Sequence, residues 1–231
     1  GTGSPISFGN QTDEGIYTVT GYATSCNTLM FGEAYITIET LPGDGIQPTG
    51  PDEVCVGTTE DYQTTAIPEA NEITWTLDPL DAGTIVGTGE NIQVEWSMDF
   101  SGTALLSVYG TNDCGDGTPS DDLEIVVGVI PTPSVYGETE VCKDFEYVYS
   151  TIDNAGSVYE WTAIGGEIVS TTTTYEVTIQ WNTIGLGSIS VSETTDISCT
   201  GTSDLFEVNI DECTSIVESN IDKINIYPNP A

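Results

Sequence analysis

One pattern occurs twice in this 231-residue chain and sets the terms for any fold it can adopt. The first copy reads Cys55, Trp75, Trp96, Cys114; the second reads Cys142, Trp161, Trp181, Cys199. Offsets from the leading cysteine are 20, 41 and 59 in one copy and 19, 39 and 57 in the other. All four tryptophans of the protein fall at these matched places. The surrounding words agree: EVCVG with EVCKD, EITWTL with VYEWTA, NIQVEWS with EVTIQWN. The chain therefore carries an internal repeat with a period near 86 residues (161 minus 75), and it reads as two or three small modules, not one large domain.

Each module is rich in Val, Ile, Tyr, Trp and Thr, which is strand composition. Turn residues interrupt the apolar runs at short intervals, as in an antiparallel sandwich. In the first full copy the alternation predicts strands near 61–66, 72–78, 83–86, 91–97, 103–109 and 123–127. The fold class is all-β, a tandem series of antiparallel β-sandwiches of which the first is incomplete. Trp75, Trp161, Trp96 and Trp181 recur at fixed places, so they are assigned to the cores. By the repeat, Cys55–Cys114 and Cys142–Cys199 are the expected disulfides, each tying the first strand of a module to the end of a late one. Closing loops of that length is worth roughly 3–4 kcal/mol in the chain-entropy model. Six cysteines and no histidine point to disulfides made outside the cytoplasm.

Residues 1–42 match the later part of a repeat. GIYTVTGYATSC aligns with SGTALLSVYGTNDC, which puts Cys26 in the place of Cys114 and Cys199. Ala34, Ile36 and Ile38 alternate with polar residues like a half-buried strand. The first half of that repeat, with its tryptophan and the cysteine partner of Cys26, is missing from the pattern, so the expectation is N-terminal continuation or strands received from a neighbour. Leu41–Asp52 is a Pro/Gly linker not expected to continue a ladder. The full modules are then 53–128 and 138–210, separated by a second linker, 129–137. Cys213 has no counterpart; it and Cys26 are left unpaired or intermolecular. Residues 214–231 form a polar linker followed by INIYPNPA.

Several of these words resemble the PKD-like and immunoglobulin-like domains of large secreted proteins of Bacteroidetes. The resemblance rests on Cys55-Val56-Gly57, the pairs Trp75-Thr76 and Trp161-Thr162, Gly165-Gly166, and Asn112 to Gly115. It covers 53–210 fully and 1–42 in part. The WDFGDG word of typical PKD domains is absent, and the second full copy has Lys143-Asp144 where the first has Val56-Gly57. The end of the chain, Tyr227, Pro228, Asn229 and Pro230 within INIYPNPA, is similar to the opening of the C-terminal sorting domain of the type IX secretion system. That resemblance implies export across an outer membrane and contact with the type IX machinery.

The chemistry is sparse. The chain has two basic residues, 37 acidic ones and a formal charge of −35. Such a surface repels phosphate backbones and anionic lipid, so nucleic acid is excluded as a partner. No run approaches the ~18 apolar residues of a membrane helix, so no membrane insertion is expected. Without histidine, Ser–His–Asp, Cys–His and His-based metal sites cannot be built, and no catalytic residue is assigned. No cofactor is expected; calcium is the one metal candidate, at Asp113, Asp116, Asp121 and Asp122, where a solvated acidic loop is the simpler reading.

These readings lead to a non-enzymatic extracellular or cell-surface protein: a structural or adhesive repeat region such as a stalk, adhesin or fibre. Its partners would be further copies of the repeat, in cis or as neighbouring subunits, with glycans or other surfaces as further candidates. One alternative is a spacer or carbohydrate-binding region at the C-terminus of a secreted polysaccharide-degrading enzyme. The other is a fibre subunit assembled by strand donation between copies.

Overall fold

The structure, a computed structural model, describes residues 9–23 and 26–213. The regular elements among the described residues are β-strands except for one 3-10 turn, Leu80–Ala82. β1 (Gly15–Ala23) and β2 (Cys26–Ile36) form a two-stranded antiparallel sheet. The first full copy supplies β3 (Glu53–Cys55), β4 (Thr59–Gln63), β5 (Glu72–Asp78), β6 (Gly83–Thr88), β7 (Asn91–Trp96), β8 (Gly102–Asn112), β9 (Gly115–Asp116) and β10 (Leu123–Gly128). The second supplies β11 (Glu140–Cys142), β12 (Glu146–Ser150), β13 (Val158–Ile164), β14 (Gly166–Ile168), β15 (Glu176–Trp181), β16 (Gly185–Thr194), β17 (Thr200–Thr202) and β18 (Phe206–Asp211).

The two copies are wired alike. One sheet has the order β3-β10-β8-β5, with β9 as a short arm on β8; its counterpart is β11-β18-β16-β13, with β17 on β16. The facing sheets are β4-β7-β6 and β12-β15-β14. β3 runs parallel to β10, with Cys55 opposite Gly128. β11 runs parallel to β18, with Cys142 opposite Asp211.

Period-two alternation builds both cores. β7 turns Ile92, Val94 and Trp96 inward and its polar residues outward; β15 does the same with Val177, Ile179 and Trp181. From the opposite sheets come Ala104, Leu106 and Val108 in one copy and Ile189 and Val191 in the other. All four tryptophans are buried.

A tyrosine closes each core at the same station. Tyr62 donates its hydroxyl to Pro51 O (3.1 Å), and Tyr149 donates to Glu138 O (3.0 Å). Each stands edge-on to a tryptophan, Tyr62 to Trp96 and Tyr149 to Trp181, with ring centroids 6.3 and 6.0 Å apart, the geometry aromatic quadrupoles prefer. The segment passing over the ring must be glycine, because a β-carbon at Gly50 or Gly137 would strike the tyrosine.

These rings make the protein sensitive to alkali. Burial raises the Tyr62 hydroxyl far above the ordinary tyrosine value and pushes Tyr149 up to about 12. A group whose folded value is raised contributes fully below its unfolded value and loses that contribution as pH climbs towards the folded one. Stability is therefore expected to fall between pH 10 and about 12, with Tyr149→Phe flattening that decline. Denaturation midpoints across this range test it; parallel declines of parent and variant would refute the assignment.

Leu41–Asp52, expected as a Pro/Gly linker that does not continue a ladder, lies against the sandwich. Gly43 N donates to Pro68 O, Gly45 N to Thr118 O, and Thr49 exchanges backbone bonds with Gln63. Tyr136 does the same with Ser150 in the second copy. Proline removes individual donors, but the N–H groups of Gly43, Gly45 and Thr49 still find backbone partners on the sandwich.

Candidate functional site

The six cysteines are where the structure departs most from the sequence reading. The expected pairs Cys55–Cys114 and Cys142–Cys199 do not form. The bonds are Cys55–Cys199, 144 residues apart, and Cys142–Cys213, 71 apart; Cys114 is a free, exposed thiol. Cys213, expected to be unpaired or intermolecular, is therefore bonded within its own copy, and the side chain of Cys26 lies outside the described residues.

Strand direction explains the correction. Cys55 ends β3 beside Gly128, and β10 meets β8 with Val127 opposite Gly102. Cys55 thus sits at the Gly102 end of β8, whereas Cys114 follows the other end, after Asn112. An 11-residue strand spans roughly 35 Å at ~3.4 Å per residue, and a disulfide needs Cα atoms within about 7 Å. The second copy obeys the same rule. Cys142 lies opposite Asp211, two residues before Cys213, while Cys199 lies past the far end of β16.

Each module therefore has a leading cysteine at its C-terminal end and a trailing cysteine at its N-terminal end. Stacked head to tail, the trailing cysteine of the second meets the leading cysteine of the first. The junction is tight around this bond. Cys199 is fully buried, and Val56 N donates to Gly128 O at 2.9 Å. A β-carbon on Gly128 would run into Ile197 and the Cys199 sulfur, and one on Gly201 into Pro131 O.

The loop that presents Cys199 is built to hold it. Thr195 N donates to Cys199 O (3.0 Å), and Cys199 N donates to Thr195 Oγ1 (3.1 Å). Ser198 takes the left-handed φ of 66°, uncommon for a residue with a β-carbon. Close by in sequence, Glu193 is buried and accepts from Asn154 Nδ2 (2.8 Å) and Ser157 Oγ (2.7 Å). A satisfied buried carboxylate organises the loop before β13. Nothing in the sequence pointed to Glu193, since the first copy has no acidic residue at the matched place.

The proposed calcium ligands do not converge. Among the described residues no three His, Cys, Asp or Glu side chains come together as a metal site. Asp116 lies in β9, while Asp121 and Asp122 precede β10, so the acidic run is spread along an extended segment. Tyr227, Pro228, Asn229 and Pro230 lie outside the described residues. No helix among the described residues is long and apolar enough to cross a membrane.

Residues 42–125 match the PKD-like domain family, and that match starts inside the Pro/Gly stretch that packs on the sandwich. The chain is similar to the fibronectin(III)-like modules of Clostridium thermocellum CbhA, at 15% identity and TM-score 0.38, over 71% of this chain and 92% of that one. It is similar to the FN1-FN3 domains of chicken CNTN1, at 13% identity and TM-score 0.36, over 84% and 77%. A marsupial T cell receptor aligns at 8% identity and TM-score 0.44, over 71% and 72%. No curated protein sequence matches. The first full copy is a two-sheet β-sandwich whose sequence matches the PKD-like family, and residues 140–211 repeat its sheet order strand for strand.

Proposed function

We propose that this chain is a stiff, non-catalytic spacer in an extracellular or cell-surface protein, in which sandwiches are stacked and covalently fastened. The observation that carries this reading is the Cys55–Cys199 bond, which crosses from one module to the next instead of stabilising either alone. Tandem modules joined by a short connection alone would pivot on it. A bond across the junction removes that freedom. Disulfides on this scale belong to oxidising compartments, and a strongly acidic surface keeps such a rod soluble and unaggregated. Export by the type IX route, and an origin in Bacteroidetes, rest on the INIYPNPA word and the PKD-like words.

Small-angle scattering of the oxidised chain and of a Cys55→Ser/Cys199→Ser variant tests the spacer reading. The oxidised chain is expected to give a narrow distribution of long dimensions, and the variant a broader, shorter one. Identical profiles would remove the bond from its mechanical role. A glycan-affinity screen should return no ligand; saturable binding of a polysaccharide would favour a carbohydrate-binding region.

A further inference from the structure

We propose that the β6 edge of the first full copy, with the cleft at its far end, docks an extended segment of another protein. That segment pairs with β6 as an added strand and places a lysine or arginine in the cleft. Such docking goes beyond the spacer reading and stands whether or not the module junction is stiff.

β6 is the outer strand of its sheet and pairs with β7 alone. The backbone groups on its other side have no ladder partner among the described residues. Open edges are commonly guarded by charge. In the two full copies the other outer strands longer than three residues are β4, β5, β12 and β13, and they carry Glu60, Glu72, Glu146 and Glu160. β6 reads GTIVGT, without a charged residue, and Val86 on it is 41% exposed. The counterpart in the second copy, β14, is three residues long and carries Glu167; just after it the Ser170 hydroxyl takes the Thr178 N–H at 2.9 Å.

Where β6 turns into β7, a cleft of about 590 Å³ opens, lined by Ile67, Ala70 and Ile73 together with Glu72 of β5 and Glu90 of the turn. The turn is anchored from within the module: Trp75 Nε1 donates to Gly89 O and Thr64 N to Glu90 O, both at 2.8 Å. The second copy fills the matched space. Ile73 stands opposite Gly110, whereas Tyr159, also two residues before a core tryptophan, stands opposite Glu193. Tyr159 is buried, and its hydroxyl donates to Ile152 O (2.9 Å) and accepts from Asn154 N (2.8 Å). The cleft therefore belongs to one copy and not to the repeat as such.

Charge selects the occupant. Apolar lining suits the stem of a long basic side chain, and the two carboxylates suit its head. The chain itself has only Lys143 and Lys223 against 37 acidic residues, so a second copy is repelled while a basic segment is attracted. In strand addition the backbone bonds give affinity and a side-chain pocket gives specificity. An antiparallel partner, the more stable ladder, runs from the cleft back towards Gly83, which puts its basic residue at its N-terminal end.

The test titrates the oxidised 231-residue chain, labelled with nitrogen-15, with the acetylated and amidated peptide RSVTVTS. Two controls accompany it: RSVPVTS keeps the charge but cannot complete the ladder, and ESVTVTS keeps the strand but reverses the charge. Amide shifts are expected at residues 83–91, with RSVTVTS binding about tenfold tighter than either control. Glu72 and Glu90 are exposed, and the Glu72→Gln/Glu90→Gln chain should lose the advantage over ESVTVTS while keeping the one over RSVPVTS. Shifts scattered over the acidic surface with equal affinity for RSVPVTS would reduce the effect to charge attraction and overturn the site. So would the absence of shifts at 83–91 up to about 10 mM peptide, an affinity too weak for a specific strand. Shifts at 83–88 that follow protein concentration without peptide would assign the edge to a second copy and overturn the basic partner. None of these readouts depends on the Cys55–Cys199 junction, which scattering reads separately.

Discussion

Stretched by its ends with both disulfides intact, the protein is expected to release very little length when its sandwiches unfold. The covalent path from the first module runs down to Cys55, crosses to Cys199 and leaves through Cys213, so residues 56–198 carry no tension. Full reduction opens a sequence separation of 144 residues, or roughly 500 Å at ~3.5 Å per extended residue. A Cys55→Ser/Cys199→Ser variant that keeps Cys142–Cys213 should give an intermediate result. There the 87 residues from Cys55 to Cys142 replace the 14 from Cys199 to Cys213, adding about 250 Å at the same spacing. Single-molecule extension measures all three. Equal contour lengths before and after reduction would mean that the two bonds are not those described. The same covalent path makes the Cys55–Cys199 bond worth about 5 kcal/mol in the chain-entropy model, so mild reduction should also lower the denaturation midpoint.

The largest single-residue loss of stability is expected at Trp181. Its side chain is fully buried, its Nε1 donates to Tyr149 Oη at 3.1 Å, and Gly165, Gly166 and Gly187 leave room around the indole. Trp181→Ala should cost about 3–5 kcal/mol, as for other large-to-small changes in a tight core. Its counterpart makes the control. Trp96 is equally enclosed beside Tyr62, but its Nε1 makes no hydrogen bond of normal geometry among the described residues. Replacing each by Phe removes a satisfied donor at Trp181 and an unsatisfied one at Trp96. The Trp181 change should therefore be the costlier by about 1 kcal/mol. Chemical denaturation followed by far-UV circular dichroism decides it, and equal costs would show that the Trp181–Tyr149 bond contributes nothing.

Much of the fold was legible because it is written in local chemistry. Ile92, Val94 and Trp96 alternate with polar residues, and Val177, Ile179 and Trp181 repeat them, so the strands and their inward faces could be read directly. Most strand limits fell within a few residues of expectation. The β4 strand ends at Gln63, short of the expected Ala66, as the chain turns towards Pro68. Glu193 was invisible because its role depends on Asn154 and Ser157, which reach it only once β13 and β16 are paired. The acidic residues near Cys114 suggested a metal loop only while their spread along an extended segment was unknown.

By itself the sequence determined the repeat, the all-β class, the tryptophan cores and the absence of histidine chemistry. Each follows from residue identity and from periodicity along one strand. The tertiary structure alone decided which cysteines meet. Equal spacing in two copies is satisfied by pairing within a copy or between copies, and nothing local separates the two. The choice is made by strand polarity: β8 carries the chain from the Cys55 end of its sheet to the Cys114 end, too far for a bond, and head-to-tail stacking brings Cys199 to Cys55 instead.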